Sequence, residues 1–177
     1  LAITGVRKVA ADQSFELPWE ALVASKVRYE DICYTKAKGA QLLRNYWNQE
    51  YVDAAVEKLL GRADKPHSSI SIQLQGGVKD SRSQGYCMQN MVITLTPDTC
   101  TIDIYYRSTE LIQKFLADLI FFAKQLPPIF EKLGRTPTTI RFKFANVYLS
   151  AVFMPIFLRY ETDPLGFFEA LQRGDPK

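Results

Sequence analysis

The chain has few residues that bind metal or staple a fold. It holds three cysteines and one histidine in 177 residues. That inventory leaves nothing to spare for a self-contained tetrahedral zinc site. No cysteine pair has CxxC spacing, and an odd count argues against a secreted disulfide framework. A reducing cytoplasm is the expected compartment. Long hydrophobic runs are also missing. None approaches the roughly 18 apolar residues that cross a bilayer, and Lys124 and Arg159 interrupt the two most apolar stretches. No basic-then-apolar segment follows Leu1, so no export signal is expected. Repeats, low-complexity tracts and linkers are absent. Charge of either sign is nearly balanced, at a formal net +3. Lysines and arginines are scattered, with their densest group at Lys36, Lys38 and Arg44. A nucleic-acid-binding domain carries a basic stripe instead. Neither a membrane nor a nucleic acid is an expected partner.

What is present is the balance of a globular domain. Hydrophobic residues make up 47% and charged residues 23%, in a length suited to a single domain spanning 1–177. Phe15 to Val23 reads as a helix with Pro18 in its first turn, and Gly39 to Tyr46 as another. Over Tyr51 to Leu60, apolar Val52, Ala55, Val56, Leu59 and Leu60 keep helical spacing, and Gly61 sits where a left-handed cap would close the helix. Ser69 to Gln75 alternates, with Ile70, Ile72 and Leu74 on one face. Met88 to Leu95 and Cys100 to Tyr106 read as a hairpin around the turn residues Thr96-Pro97-Asp98-Thr99. Ser108 or Thr109 is placed to cap a long apolar helix, with Glu110 in its first turn and Leu111 to Phe122 giving a wide apolar face. Pro127-Pro128 ends that helix, and a short one follows over Ile129 to Leu133. A strand is expected over Thr138 to Phe144, and a last helix over Val147 to Tyr160, kinked at Pro155. Leu165 to Arg173 reads as an amphipathic tail. The order defines an α+β domain, its mixed or antiparallel sheet packed by a long buried helix.

Four places bear on chemistry. Cys87 opens a strand after a polar loop that contains Arg82, and a nearby cation would stabilise its thiolate. The competing reading is a small buried hydrophobe, which Cys33 and Cys100 resemble more. Arg107-Ser108 lies where a strand is expected to hand over to a helix, so that backbone N–H groups and the positive end of the helix dipole join a guanidinium and a hydroxyl as a site for a phosphate. The competing reading there is an ordinary cap beside a surface arginine. Asp118 falls within the most apolar helix, where a carboxylate is costly unless it is partnered, faces a cavity or lies on an exposed stripe. His67 follows Pro66 in a loop that faces solvent.

The segment from Cys87 through the hairpin to Tyr105-Tyr106-Arg107-Ser108-Thr109-Glu110 resembles the core of thymidylate synthases and the related deoxycytidylate hydroxymethylases. Those enzymes carry a catalytic cysteine followed by the arginine of a Tyr-x-Arg-Ser-x-Asp motif at the same spacing of twenty residues. Asp53 to Leu60 and Asp64 to Leu74 are similar to the family's helix, turn and strand before the catalytic loop. Ile140 to Tyr148 is similar to the strand that leads into its Gly-Asp-x-His-x-Tyr segment. The resemblance spans about Tyr51 to Tyr160.

The resemblance implies a thymidylate-synthase-like domain that joins a one-carbon unit to C5 of a pyrimidine deoxynucleoside monophosphate. Methylenetetrahydrofolate would be the cofactor. Cys87 would be the nucleophile, Arg107 and Ser108 would bind the 5′-phosphate, and Tyr148 and Asn146 would sit at the sugar. Asp118 stands where the hydroxymethylases carry an aspartate, so dCMP is expected before dUMP. Glu16 in Glu16-Leu17-Pro18-Trp19 is faintly similar to a family segment with a catalytic glutamate. The family forms homodimers, and the hydroxymethylases point to a viral modified-DNA pathway in a host cytoplasm as one setting. The chain also departs from the pattern. Met88 replaces the histidine that follows the cysteine, Tyr86 a proline, Glu110 the motif's aspartate, and Asn146 a histidine. His67-Ser68 replaces paired arginines, and the chain is about a third shorter than usual members. These departures fit the alternative of a non-catalytic nucleotide-binding or assembly subunit.

Overall fold

The computed structural model describes residues 7–9, 14–26, 28–29, 37–62, 65, 68–74, 87–110 and 114–148. In chain order the elements are β1 (Arg7–Val9), β2 (Ser14–Pro18), α1 (Trp19–Val23), α2 (Ala37–Tyr46), α3 (Gln49–Leu60), β3 (Ser68–Gln73), β4 (Met88–Leu95), β5 (Cys100–Tyr106), β6 (Thr109–Glu110), α4 (Lys114–Gln125), α5 (Pro127–Leu133), β7 (Thr139–Phe144) and β8 (Val147–Tyr148). The main sheet has the order β1-β2-β7-β5-β4-β3, and β6 and β8 form a two-stranded sheet. The chain is α+β with a mixed sheet.

The β4–β5 hairpin sits at the centre. Its turn closes through Thr96, whose N–H donates to the Thr99 carbonyl at 2.9 Å and whose Oγ1 accepts from the Thr99 N–H at 2.9 Å. Thr and Pro here supply turn chemistry rather than ladder bonds. One register shift falls between Met88 and Asn90, where Met88 lies opposite Tyr106. The other edge of β5 pairs in parallel with β7, Ile102 beside Ile140 and Ile104 beside Phe142. A parallel neighbour requires a crossover, and α4 and α5 make it.

Strand alternation sorts the sheet into two faces. Met91, Ile93, Ile102, Ile104, Ile140 and Phe142 are each fully buried on one face. The opposite face carries half-exposed Val92, Thr94, Tyr105, Arg141 and Lys143. Asp103 lies there with them, 8% exposed. Arg141 Nη2 donates to Asp103 Oδ2 at 3.1 Å, Arg141 Nε lies 2.9 Å from Oδ1 without hydrogen-bond alignment, and Lys143 Nζ lies 3.4 Å from Oδ1.

Helix α4 is buried along eight consecutive residues, Phe115 to Phe122. One side meets the sheet while α1, α2 and α5 pack around the rest. Phe115 is its anchor. Its ring stands edge-on to Phe15, Phe142 and Phe144 at centroid distances of 5.2, 5.1 and 5.2 Å. Helix α3 starts at Asn48, whose side chain accepts from the Tyr51 N–H, and it buries Val52, Ala55, Val56 and Leu59.

Several expectations need correction. Phe15 to Pro18 is a strand, paired with β7, because Phe15 and Leu17 meet its core face. The helix begins only at Trp19. Gly61 caps α3 in a right-handed conformation, whereas Gly134, at φ 62°, is the left-handed cap, at the end of α5. Val147 and Tyr148 are strand, not helix, because they pair with Thr109 and Glu110. Residues 149–177, which include the rest of that expected helix and the tail, lie outside the described residues.

Replacing Phe115 with alanine empties a site filled on three sides by aromatic edges. The expected loss is about 3–5 kcal/mol of unfolding free energy. Urea denaturation of the variant checks it, with Phe115→Leu expected to lose less.

Candidate functional site

The positions singled out in the sequence meet at one end of the main sheet. There β4 begins and β5 ends, so the Arg107 N–H donates to the Cys87 carbonyl at 2.8 Å. Where β7 ends beside β5, the Ala145 N–H donates to the Tyr106 carbonyl at 2.9 Å, and the Thr109 N–H donates to the Asn146 carbonyl at 3.1 Å. The β6–β8 pairing continues that contact, with Glu110 opposite Tyr148. Cys87, Arg107, Ser108, Asn146 and Tyr148 thus share one edge, although the chain between them runs away and returns. Arg107 and Asn146 are exposed there, and Cys87 and Ser108 are half-buried.

The expected cap at Ser108 or Thr109 is not formed. Thr109 is in strand β6 with Ser108 just before it, and α4 spans Lys114–Gln125, the Lys114 N–H donating to Glu110 Oε2 at 3.4 Å. The start of α4 is therefore met by Glu110. Any anion at Arg107 and Ser108 would be held by their side chains and the adjoining backbone rather than by a helix terminus.

Asp118 is buried at 6% exposure, so the exposed-stripe reading fails. Its charge acts on two phenols, Tyr29 and Tyr106. Burial, then Asp118, pushes the Tyr29 hydroxyl up to about 12. The Tyr106 hydroxyl is raised well above the usual tyrosine range, first by burial and then by the charge of Asp118 and by Tyr46 and Cys87. Tyr106 Oη is fully buried with no hydrogen bond among the described residues. Tyr46 closes the group: the Cys87 N–H donates to Tyr46 Oη at 3.4 Å. Cys87, Tyr46, Tyr106, Asp118 and Tyr29 form one connected set.

The sequence reading assigns none of the three tyrosines to the site. One signal was available. Tyr106 continues the inward series Ile102, Ile104, and a tyrosine on a buried face needs a partner for its hydroxyl.

Beyond Tyr29 lies an open groove of ≈ 400 Å³ bordered by Arg28, Gly39, Leu43, Phe121 and Lys124. Lys124 Nζ stands 4.9 Å from the Tyr29 ring centroid. A Cβ at Gly39 would come within 2.6 Å of the Tyr29 ring, so glycine is what admits the ring there.

Glu16 lies opposite Arg141 in the β2–β7 register, on the face away from Phe15 and Phe115. It does not join Asp118. Cys33, Pro66, His67 and Arg82 lie outside the described residues. Among the described residues, no cluster of His, Cys, Asp and Glu could hold a metal ion, and no helix is long and apolar enough to cross a membrane. No family model matches the chain, and a search of curated proteins finds no match.

Cys100 is only 3% exposed, and burial, opposed in part by Arg135, pushes its thiol up to about 11. The unfolded thiol ionises near 9, so the protonated, folded form is favoured below that pH. This contribution to stability is lost as pH rises from about 9 through about 11. Two outcomes are expected. The urea midpoint falls over that interval, less steeply in Cys100→Val. At neutral pH iodoacetamide labels Cys87 and spares Cys100 in the folded protein, as peptide mass mapping would show.

Proposed function

We propose that this chain transfers a one-carbon unit to C5 of a pyrimidine deoxynucleoside monophosphate, dCMP in preference to dUMP, through a covalent adduct of Cys87. The reading combines a resemblance to thymidylate synthases and deoxycytidylate hydroxymethylases with one observation. Cys87 and Arg107, set twenty residues apart in the sequence, are joined by a backbone hydrogen bond of 2.8 Å at the sheet end that also holds Ser108, Asn146 and Tyr148.

In this reading the Cys87 thiolate adds to C6 of the base and makes C5 nucleophilic. C5 would then take up the one-carbon unit and lose its proton. The C–N bond to the carrier amine would break to leave a methylene on C5, and water would add to that carbon to give the hydroxymethyl group. The sulfur would be expelled as the C5–C6 double bond re-forms. Arg107 and Ser108 hold the 5′-phosphate by charge-assisted bonds. Asp118 accepts from the exocyclic amine of cytosine, a donor that uracil lacks. Tyr148 and Asn146 lie at the sugar. A tetrahydrofolate, when bound, supplies the one-carbon unit. It is a flat ring system with an acidic tail, and the groove at Tyr29 offers Tyr29 and Phe121 to the ring and Arg28 and Lys124 to the carboxylates.

The test is tritium release from C5-labelled dCMP in the presence of methylenetetrahydrofolate. Release is expected from the native protein and only background from Cys87→Ser. Normal turnover by the variant would overturn the covalent mechanism.

A second reading, a non-catalytic nucleotide-binding or assembly subunit, is favoured by Met88. It replaces the family's histidine next to the cysteine and is fully buried in the core. Calorimetric titration separates the two: nucleotide binding without folate binding or tritium release identifies the binding subunit.

A homodimer goes with either reading. The half-exposed sheet face around Asp103, Tyr105, Arg141 and Lys143 is the one that a second copy would cover. Sedimentation velocity at micromolar concentration is expected to give a dimer, and a monomer would count against the assignment.

A further inference from the structure

We propose that a basic pocket at the other end of the β4–β5 hairpin is a binding site for the phosphate monoester group of a small molecule. It is independent of the nucleotide reading above. The candidate site lies where β4 begins and β5 ends. This pocket lies where β4 ends, roughly 25 Å away along the strand.

Arg62, Lys65 and Arg135 line the pocket with Thr96, over a floor of leucines from α3, β4 and α5. No carboxylate lines it among the described residues. The ion pairs found there fall elsewhere, at Lys132 with Asp53 and around Asp103. All three cations are exposed. Arg135 is aimed by the hairpin turn, its Nη1 donating to the Pro97 carbonyl at 2.9 Å. A guanidinium so held still has donors to spare.

The competing explanation is charge balance at helix ends, because α3 and α5 both finish here. Magnitudes decide against it. Each helix end brings about −0.5 of a charge, so the two offset only about one of the three cations. The last carbonyls are served by other groups. Glu57 and Leu59 accept from the Gly61 and Arg62 N–H groups, and Phe130 and Glu131 from those of Arg135 and Gly134. The Arg62 carbonyl takes the Lys65 N–H and the Ser68 hydroxyl. A surplus of about two positive charges remains for a ligand.

A cleft with walls of one sign over an apolar floor focuses its field on a counter-ion. The enclosed space is ≈ 20 Å³, little more than one water needs. It seats the oxygens of one head group and leaves the rest of the molecule in solvent. Charge-assisted bonds to that head therefore set the affinity. A monoester, close to doubly charged at neutral pH, matches the surplus better than a singly charged diester.

The test is backbone-amide NMR of the native protein titrated with methyl phosphate at fixed ionic strength. Saturable shifts are expected at Arg62, Lys65, Thr96 and Arg135, and they are expected to persist in Cys87→Ser and Arg107→Gln. The double variant Arg62→Gln, Arg135→Gln is expected to raise the Kd at least about tenfold. Lys65→Gln, outside every helix and strand, is expected to raise it severalfold and carries the test if the double variant folds poorly. Dimethyl phosphate is expected to bind about tenfold more weakly than methyl phosphate. Shifts that never saturate, an unchanged Kd in these variants, or equal binding of the diester overturn the proposal. Shifts confined to Arg107 and Ser108 overturn it as well, while supporting the nucleotide reading. Binding at Arg62 and Arg135 with no response at Arg107 upholds the pocket and counts against that reading.

Discussion

The packing of Phe115 into the aromatic face of the sheet is the constraint on which the rest of this structure turns. Phe115 meets Phe15 on β2, Phe142 and Phe144 on β7, and Tyr106 on β5. Those contacts set the rotation of α4 about its axis. Asp118 lies three residues on, and residues three apart share a helix face. The same rotation that buries the phenylalanine therefore takes Asp118 into the core as well.

Burial of Asp118 is costly in stability. A carboxylate removed from water loses solvation that phenolic hydrogens replace only in part. The surrounding core is dense enough to carry that cost, with Phe121, Phe122 and Leu126 fully buried nearby in the chain. The connected set of Cys87, Tyr46, Tyr106 and Asp118 occupies the sheet end where Arg107 and Ser108 also lie.

Much of this arrangement was legible from local pattern. The limits of β4 and β5 match their alternation and the intervening turn residues, and α3 follows from its apolar spacing. These elements are specified by neighbours in sequence. The failures occur where distant partners decide. Phe15 to Pro18 is extended because β7 supplies a ladder for it. Thr109 and Glu110 are extended because β8 does. A capping residue followed by an acidic one is a sound local signal for a helix start, yet the pairing with Val147 and Tyr148 prevails over it. The acidic residue still serves the helix, through the bond from Lys114 to Glu110. Asp118 could be recognised as exceptional from its apolar neighbours, but its partners could not. Tyr29 and Tyr106 stand far apart in the chain, and only the fold brings both within electrostatic reach of it.

The two buried aspartates sharpen what the site can do. Asp103, on the opposite face, meets the Arg141 guanidinium and the Lys143 ammonium. Cations so placed cancel its charge and tie β5 to β7. Asp118 lies on the core side of the sheet, where its charge contributes to raising the Tyr29 and Tyr106 hydroxyls, and in a poorly hydrated setting such a field is little screened. Charge compensation at Asp103 therefore suits it to structure. The fold keeps the two carboxylates apart, Asp103 with Arg141 and Lys143 on the half-exposed face and Asp118 in the core against the other.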